Sequence, residues 1–339
     1  MDNLTLYQQI ILPLGAIAFG IYLLVKGGDW TIDSAAWVAE KSGLSKLFIA
    51  ATIIAFGTSA PELFTSINAN LSDKPGISLG NVLGSNIANI LMVLGAAAIV
   101  SPLVVSRKEV RVDVLVMIAA TAVLAYGLYE GIFSRLFGLA MLAGLIVYIG
   151  YQFVTNKLDV DDDEDEDDEG PAFKGRGHAA LILLLGLVAL VIGSELLVQG
   201  AIAGGMAIGV PEAVIGMTVI AFGTSLPELT TCITAARKGQ YDMVIGGILG
   251  SNIFNILSIV AITSIIRPLV ADPSFLIVDL PTVIVVTLLL SGLMLFSGKI
   301  GRATGAAFLA GYLAFIGFQY LGPDREPMVL EQAIFPENQ

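Results

Sequence analysis

The sequence is poor in the residues on which most soluble chemistry relies. Its 339 residues include one His, one Cys and only 14% charged side chains. A single cysteine, Cys232, excludes an intramolecular disulfide. One His and one Cys also argue against a zinc or copper cage. No Gly-x-x-x-x-Gly-Lys-Ser/Thr segment cradles a nucleotide phosphate, and no His-Glu-x-x-His motif supports metal-dependent hydrolysis. The 17 Lys and Arg residues fall below the charge that nucleic-acid binding demands.

What is abundant is apolar sequence. Hydrophobic residues make up 56% of the chain, against about 45–50% in soluble domains. Mean hydropathy is +0.85. The net charge of −12 says little about partners, because Asp159–Glu169 holds ten of the 29 acids. Apolar runs fall near 8–27, 35–72 (interrupted around Lys41–Lys46), 77–100, 112–130 and 135–154. A second set falls near 179–204, 211–236, 242–266, 275–297 and 303–321. Each approaches the ~20 residues needed to span a bilayer, and none shows the strict alternation of barrel strands. The first run lacks a basic flank and a small-residue cleavage site, so it is expected to stay as a helix.

These runs predict an all-α polytopic membrane protein of about ten helices. With the N-terminus outside, 13 basic residues fall on inner loops and four (Lys74, Arg135, Arg267 and Arg325) outside. That asymmetry puts both termini outside and the acidic loop in the cytoplasm of a cell with a plasma (inner) membrane. The expected divisions are a first five-helix half at 1–154, an acidic linker at 155–177, a second half at 178–322 and a polar tail at 323–339. The linker fails as a calcium-binding EF-hand loop. Counted from Asp159, position 6 is Glu164 rather than Gly, and position 12 is Gly170 rather than Glu.

An internal repeat supports the division. Residues 49–104 align without a gap on 215–270, with 27 of 56 positions identical. The first copy contains Gly57-Thr58-Ser59-Ala60-Pro61-Glu62 and Gly84-Ser85-Asn86-Ile87-Ala88-Asn89. The second contains Gly223-Thr224-Ser225-Leu226-Pro227-Glu228 and Gly250-Ser251-Asn252-Ile253-Phe254-Asn255. Five helices separate equivalent positions, so the copies are expected to cross the membrane in opposite senses.

Each copy sets a Glu inside an apolar segment with no Lys or Arg at similar depth. Intramembrane acids are costly and need a partner, which leaves protons or bound cations. Two ionised carboxylates about 5 Å apart repel by roughly 3 kcal/mol at an effective dielectric near 20, which one divalent cation or several monovalent cations would relieve. Thr58 and Ser59 lie one turn before Glu62, and Pro61 frees backbone carbonyls nearby. Ser85 and Asn89, like Ser251 and Asn255, are also one turn apart. Carboxylate, hydroxyl, amide and carbonyl oxygens suit hard cations. Asn86 and Asn252 lie off that face, where bonding between helices is at least as favoured as ligation, and they are left out of the ligand set. His178 and Cys232 are read as structural; Glu195, Asp113 and Asp279 as helix-end or interhelix residues.

The paired Gly-Thr-Ser-x-Pro-Glu and Gly-Ser-Asn-Ile-x-Asn segments resemble the α-repeats of the cation/calcium exchanger superfamily, particularly prokaryotic sodium/calcium exchangers. The resemblance implies ten helices in two inverted five-helix repeats, and alternating access in which sodium entry drives calcium out. It implies calcium ligation by Glu62 and Glu228 with carbonyls at Thr58 and Thr224. It implies sodium sites at Ser59, Ser85, Ser225 and Ser251 with carbonyls at Ala55 and Ala221. Asn89 and Asn255 fall in the middle of the site. Many members carry Asp at the position of Asn255, so this site holds at most two formal negative charges. No enzyme activity, cofactor, nucleic acid or obligatory protein partner is implied; the substrates are calcium and sodium, and the surroundings are lipid. The nearest alternative is a calcium/proton exchanger using the same glutamates, followed by a cation channel and, more remotely, a membrane-embedded hydrolase.

Overall fold

A computed structural model describes residues 11–104, 106–155, 173–207 and 223–321. Most of the acidic linker and all of the polar tail lie outside the described residues. The described chain is almost entirely helical. It begins with α1 (Leu12–Ser42), then α2 (Lys46–Thr58) and α3 (Ala60–Leu71), which are bent by 43° at their junction. α4 (Pro75–Val100), α5 (Arg111–Glu130) and α6 (Arg135–Thr155) complete the first half. The second half contains α7 (Arg176–Ala207), α8 (Leu226–Arg237), α9 (Tyr241–Ile266), α10 (Pro273–Ser297) and α11 (Arg302–Leu321). Seven of the described helices are long and apolar enough to cross a membrane, or eight if the bent pair is one span. The apolar run expected at 211–236 is described only from residue 223, as the 12-residue α8.

Two boundaries differ from the expected ones, for physical reasons. The first apolar run does not end near residue 27, because α1 continues for 31 residues to Ser42. At 1.5 Å per residue it is roughly 46 Å long, well beyond the ~30 Å hydrocarbon core. Its charged second half is held by ion pairs, with Lys238 Nζ lying 3.1 Å from Asp29 and 2.7 Å from Asp33. The helix ends where Gly43 adopts φ 68°, a left-handed cap whose N–H donates to the Ala39 carbonyl. The run at 35–72 is broken a second time, at Ser59. Pro61 falls in the first turn of α3, where its missing N–H costs no helical bond.

α1 and α7 pack antiparallel through a ladder of glycines. A Cβ on Gly20 would stand 2.7 Å from the Gly193 carbonyl oxygen, and one on Gly27 2.9 Å from that of Gly186. Gly200 meets the Pro13 carbonyl at 2.8 Å in the same way. Recurrence every seven residues keeps these positions on one seam, and the missing side chains let the two backbones touch.

The halves are interlocked. β1 (Leu103–Val104), from the end of the first repeat, pairs antiparallel with β4 (Lys299–Ile300), and β2 (Ile132–Phe133) pairs with β3 (Leu269–Val270). The last helices are exchanged too. α6 packs on α9, with a Gly138 Cβ falling 2.7 Å from the Ala261 carbonyl. α11 packs on α4, with a Gly305 Cβ falling 2.6 Å from the Gly95 carbonyl. Arg135 Nη2 donates to the Ile266 carbonyl at 3.3 Å, and Arg302 Nε to the Ile99 carbonyl at 3.0 Å. α4 and α9 are thereby buried at the centre, whereas Leu136, Val147 and Leu313 on the outer helices are exposed, as lipid-facing residues are.

Gly193→Val should destabilise the detergent-solubilised protein by ~2 kcal/mol or more, read as a lower melting temperature, because a side chain there must separate α1 from α7. Gly144→Ala, at a glycine with nothing within 4 Å of its Cβ position, should melt like wild type. Identical melting of the two variants would contradict the backbone contact.

Candidate functional site

The 43° break between α2 and α3 places Thr58 at the end of one helix, Ser59 at the joint and Glu62 in the first turn of the next. The second repeat repeats this layout, with Ser225 preceding α8 and Glu228 in its first turn. Both glutamates are withdrawn from solvent, Glu62 being 1% and Glu228 3% exposed. They come from different halves yet lie close enough for their charges to interact. Ser59 Oγ donates to Glu228 Oε1 at 3.2 Å, so a hydroxyl of one repeat holds the carboxylate of the other. Thr58 Oγ1 donates to the Ala55 carbonyl of its own helix at 3.3 Å.

One asparagine of each central helix stands where the coil widens. Asn89 and Asn255 each open a π-helical turn, Asn89–Val93 and Asn255–Val260. Wide turns of this kind are rare and recur at functional sites. The packing again crosses between halves, because α3 lies against Asn255–Val260 and α8 against Asn89–Val93.

The polar atoms at this centre are largely unpaired. Glu62 Oε2, Glu228 Oε2, both amide atoms of Asn89 and Asn255 Oδ1 are buried without a hydrogen-bond partner among the described residues. Such atoms ordinarily cost about 1–3 kcal/mol apiece, and native structures hold few of them. Five of the ten such atoms among the described residues lie on these four side chains, and four of the five are oxygens, which makes an oxygen-rich cradle. No cluster of three or more His, Cys, Asp or Glu occurs among the described residues, so the cradle has two charges and is otherwise built of neutral groups. That donor set fits a hard cation and not a soft one.

Of the remaining sequence candidates, Ser85, Ser251, Ser225 and Ala55 are buried, and Thr224 is half-buried. Ala221 lies outside the described residues. Asn86 and Asn252 differ from their expected role. Their amide nitrogens donate within their own helices, to the Val82 and Ile248 carbonyls, both at 2.7 Å. Back-bonding to the carbonyl four residues earlier competes successfully with a neighbouring helix.

Several polar contacts carry no signature in the repeat motifs. Ser194 Oγ donates to the Gly223 carbonyl at 2.6 Å, fixing the backbone just before Thr224. The only hint is a serine inside an apolar run. Asp113 accepts from Tyr148 OH at 2.7 Å and from the Gln152 amide, bridging α5 and α6. Asp279 accepts from the Gln319 amide between α10 and α11, at the equivalent place in the second half. Cys232 is buried and unoxidised, while His178 Nδ1 accepts from the Lys174 backbone N–H at 3.4 Å near the start of α7.

Comparison with known proteins is consistent with this geometry. A family model described as sodium/calcium exchanger protein matches residues 12–154 and 178–321. The uncharacterized membrane protein MJ0091 of Methanocaldococcus jannaschii is 34% identical over 317 residues, covering 93% of this chain and 100% of that protein. The sodium/calcium exchanger MaX1 of Methanosarcina acetivorans is 32% identical, covering 88% of this chain and 96% of its own length. Among solved structures, the sodium-calcium exchanger NCX_Mj soaked in sodium without calcium aligns with a TM-score of 0.78 at 35% identity, covering 91% of this chain and 98% of that one.

Asp113→Ala removes the acceptor that the Tyr148 hydroxyl and the Gln152 amide share between α5 and α6. A loss of about 1–3 kcal/mol is expected, measured as a lower melting temperature of the purified protein. An unchanged melting temperature would remove Asp113 from any role in holding α5 against α6.

Proposed function

Because the chain belongs to the sodium/calcium exchanger family, we propose that it exchanges calcium for sodium by alternating access, at a site shared between Glu62 and Glu228. Membership makes it a multi-pass membrane transporter of the cation/calcium exchange class rather than an enzyme. The observation that carries the finer reading is the pair of buried glutamates, one from each half, each with an unpartnered oxygen.

In this reading the carboxylates are the shared ligands. Their mutual repulsion leaves the empty site unfavourable, and one calcium ion cancels both charges. The Asn89 and Asn255 amide oxygens, with carbonyls at Thr58 and Thr224, supply neutral donors. The serines at 59, 85, 225 and 251, with carbonyls at Ala55 and Ala221, provide separate sodium positions around the same acids. Calcium and the sodium set therefore compete, and that competition is the coupling. With only two formal negative charges, one calcium leaves the site neutral, whereas three sodium ions would leave it at +1.

The reading extends to organisation. Residues 1–154 and 178–322 are the two inverted halves, joined by the cytoplasmic acidic linker, with both termini outside the plasma membrane. The α1–α7 pair meets the core through Gly28 against Thr230 and Thr234 of α8, Leu187 against Gly57, and Lys238 against Asp29 and Asp33. A pair joined by its own glycine ladder can shift as one body over the site.

Proteoliposomes loaded with sodium should take up calcium when diluted into sodium-free medium at constant pH. Glu62→Gln and Glu228→Gln should each depress uptake at least about a hundredfold, the order expected from losing a charged ligand worth ~3 kcal/mol. Uptake that follows an imposed pH gradient and ignores sodium would assign proton coupling instead, and calcium flux indifferent to both gradients would indicate a channel. Wild-type uptake in either Gln variant would displace the site.

A further inference from the structure

The two glutamates are held by different means. Glu228 has its side chain fixed by Ser59 and its carbonyl capped within its own helix, accepting from Thr231 Oγ1 at 3.0 Å. Glu62 has a neighbour from outside its helix. Asn81 Nδ2, on α4, donates to the Glu62 carbonyl at 3.0 Å and to Ser66 Oγ at 2.9 Å. Ser66 Oγ donates onward to the Ser78 carbonyl at 3.4 Å, so one amide and one hydroxyl fasten the first turns of α3 to α4.

Among the described residues the second half shows no such clamp. At the repeat offset Asn81 becomes Gly247 and Ser66 becomes Cys232. A Cβ built on Gly247 would stand 3.8 Å from Cys232 Sγ, an ordinary apolar contact. Spacing gives the first-half clamp its consequence. Asn81, Ser85 and Asn89 recur every four residues and share one face of α4. Fixing the Glu62 backbone to Asn81 therefore fixes its carboxylate along the axis relative to Ser85 and Asn89.

We infer that Asn81 is a positioning residue for Glu62, setting the register of the first-half carboxylate against the oxygens of α4 and so the affinity for a divalent cation. It touches no ion itself. The Asn81 bond acts on the Glu62 backbone, leaving the carboxylate oxygens free of the clamp. The inference rests on the proposed function only in taking the site to be a calcium site.

The test uses the purified full-length protein titrated calorimetrically with calcium chloride in sodium-free buffer, alongside sodium-driven uptake in proteoliposomes. Asn81→Ala should weaken calcium binding roughly tenfold, with cation-free melting close to wild type. Asn81→Ser, too short to reach both acceptors, should do the same and carries the test if the alanine variant does not fold. Asn81→Gln, which keeps the amide donor, should recover most of the affinity. Gly247→Ala, at the equivalent place in the second half, should bind as wild type. Wild-type affinity in Asn81→Ala or Asn81→Ser, or a Gln variant as weak as the alanine one, would overturn the positioning role while leaving exchange intact. Calcium binding by the wild type without sodium-driven uptake would instead overturn the exchange reading and leave the Asn81 result standing.

Discussion

Two acids are buried side by side with no base to balance them, and much of the surrounding architecture answers to that constraint. A carboxylate in a low-dielectric interior is tolerable only if something neutralises it or solvates it. Here the protein supplies Glu228 with a hydroxyl from the opposite half and sets amides at widened turns, while one oxygen of each acid has no partner among the described residues. The break between α2 and α3 serves the same end. It turns what would be a continuous span into two helix ends meeting at depth, where backbone polar groups are available.

The repeat makes the halves alike in sequence but not in how each is secured. At one boundary the α9 end is tied to the turn after α3. Asn70 Nδ2 donates to the Arg267 carbonyl at 2.8 Å, and Arg267 returns bonds to the Asn70 carbonyl and to Asp73. At the equivalent joint of the other half, Ser101 and Tyr241 share a single hydroxyl contact of 3.0 Å. Lys238 is bonded to two aspartates of α1, whereas its counterpart Ser72 has no charge to offer. Equivalent folds are thus secured by unequal fastenings at their two ends.

Much of this was legible in the sequence because membrane burial writes itself in composition. The apolar runs locate the helices, and the duplicated Gly-Thr-Ser-x-Pro-Glu segment singles out Glu62 and Glu228 from sequence alone. What was illegible depends on tertiary partners. Nothing local indicates that α1 continues past Lys26, because Asp29 and Asp33 look like a terminus until Lys238 is brought to them. The widened turns at Asn89 and Asn255 have no residue signature of their own. Asn86 and Asn252 bonded backward within their helices, since a nearby carbonyl is always within reach and another helix is not. Asn81 escaped notice because the second copy carries Gly247 there, so the repeat concealed the asymmetry it contained.

The exchanged strands and terminal helices bear on biogenesis. When the ribosome has delivered only the first half, β1 and β2 have no mates, and α4 lacks the helix that covers Gly95. Those surfaces must wait in the translocon or the lipid until residues 136 to 210 positions later arrive. Neither half can mature ahead of its sibling, so the protein passes from nascent to native in one late, concerted closure.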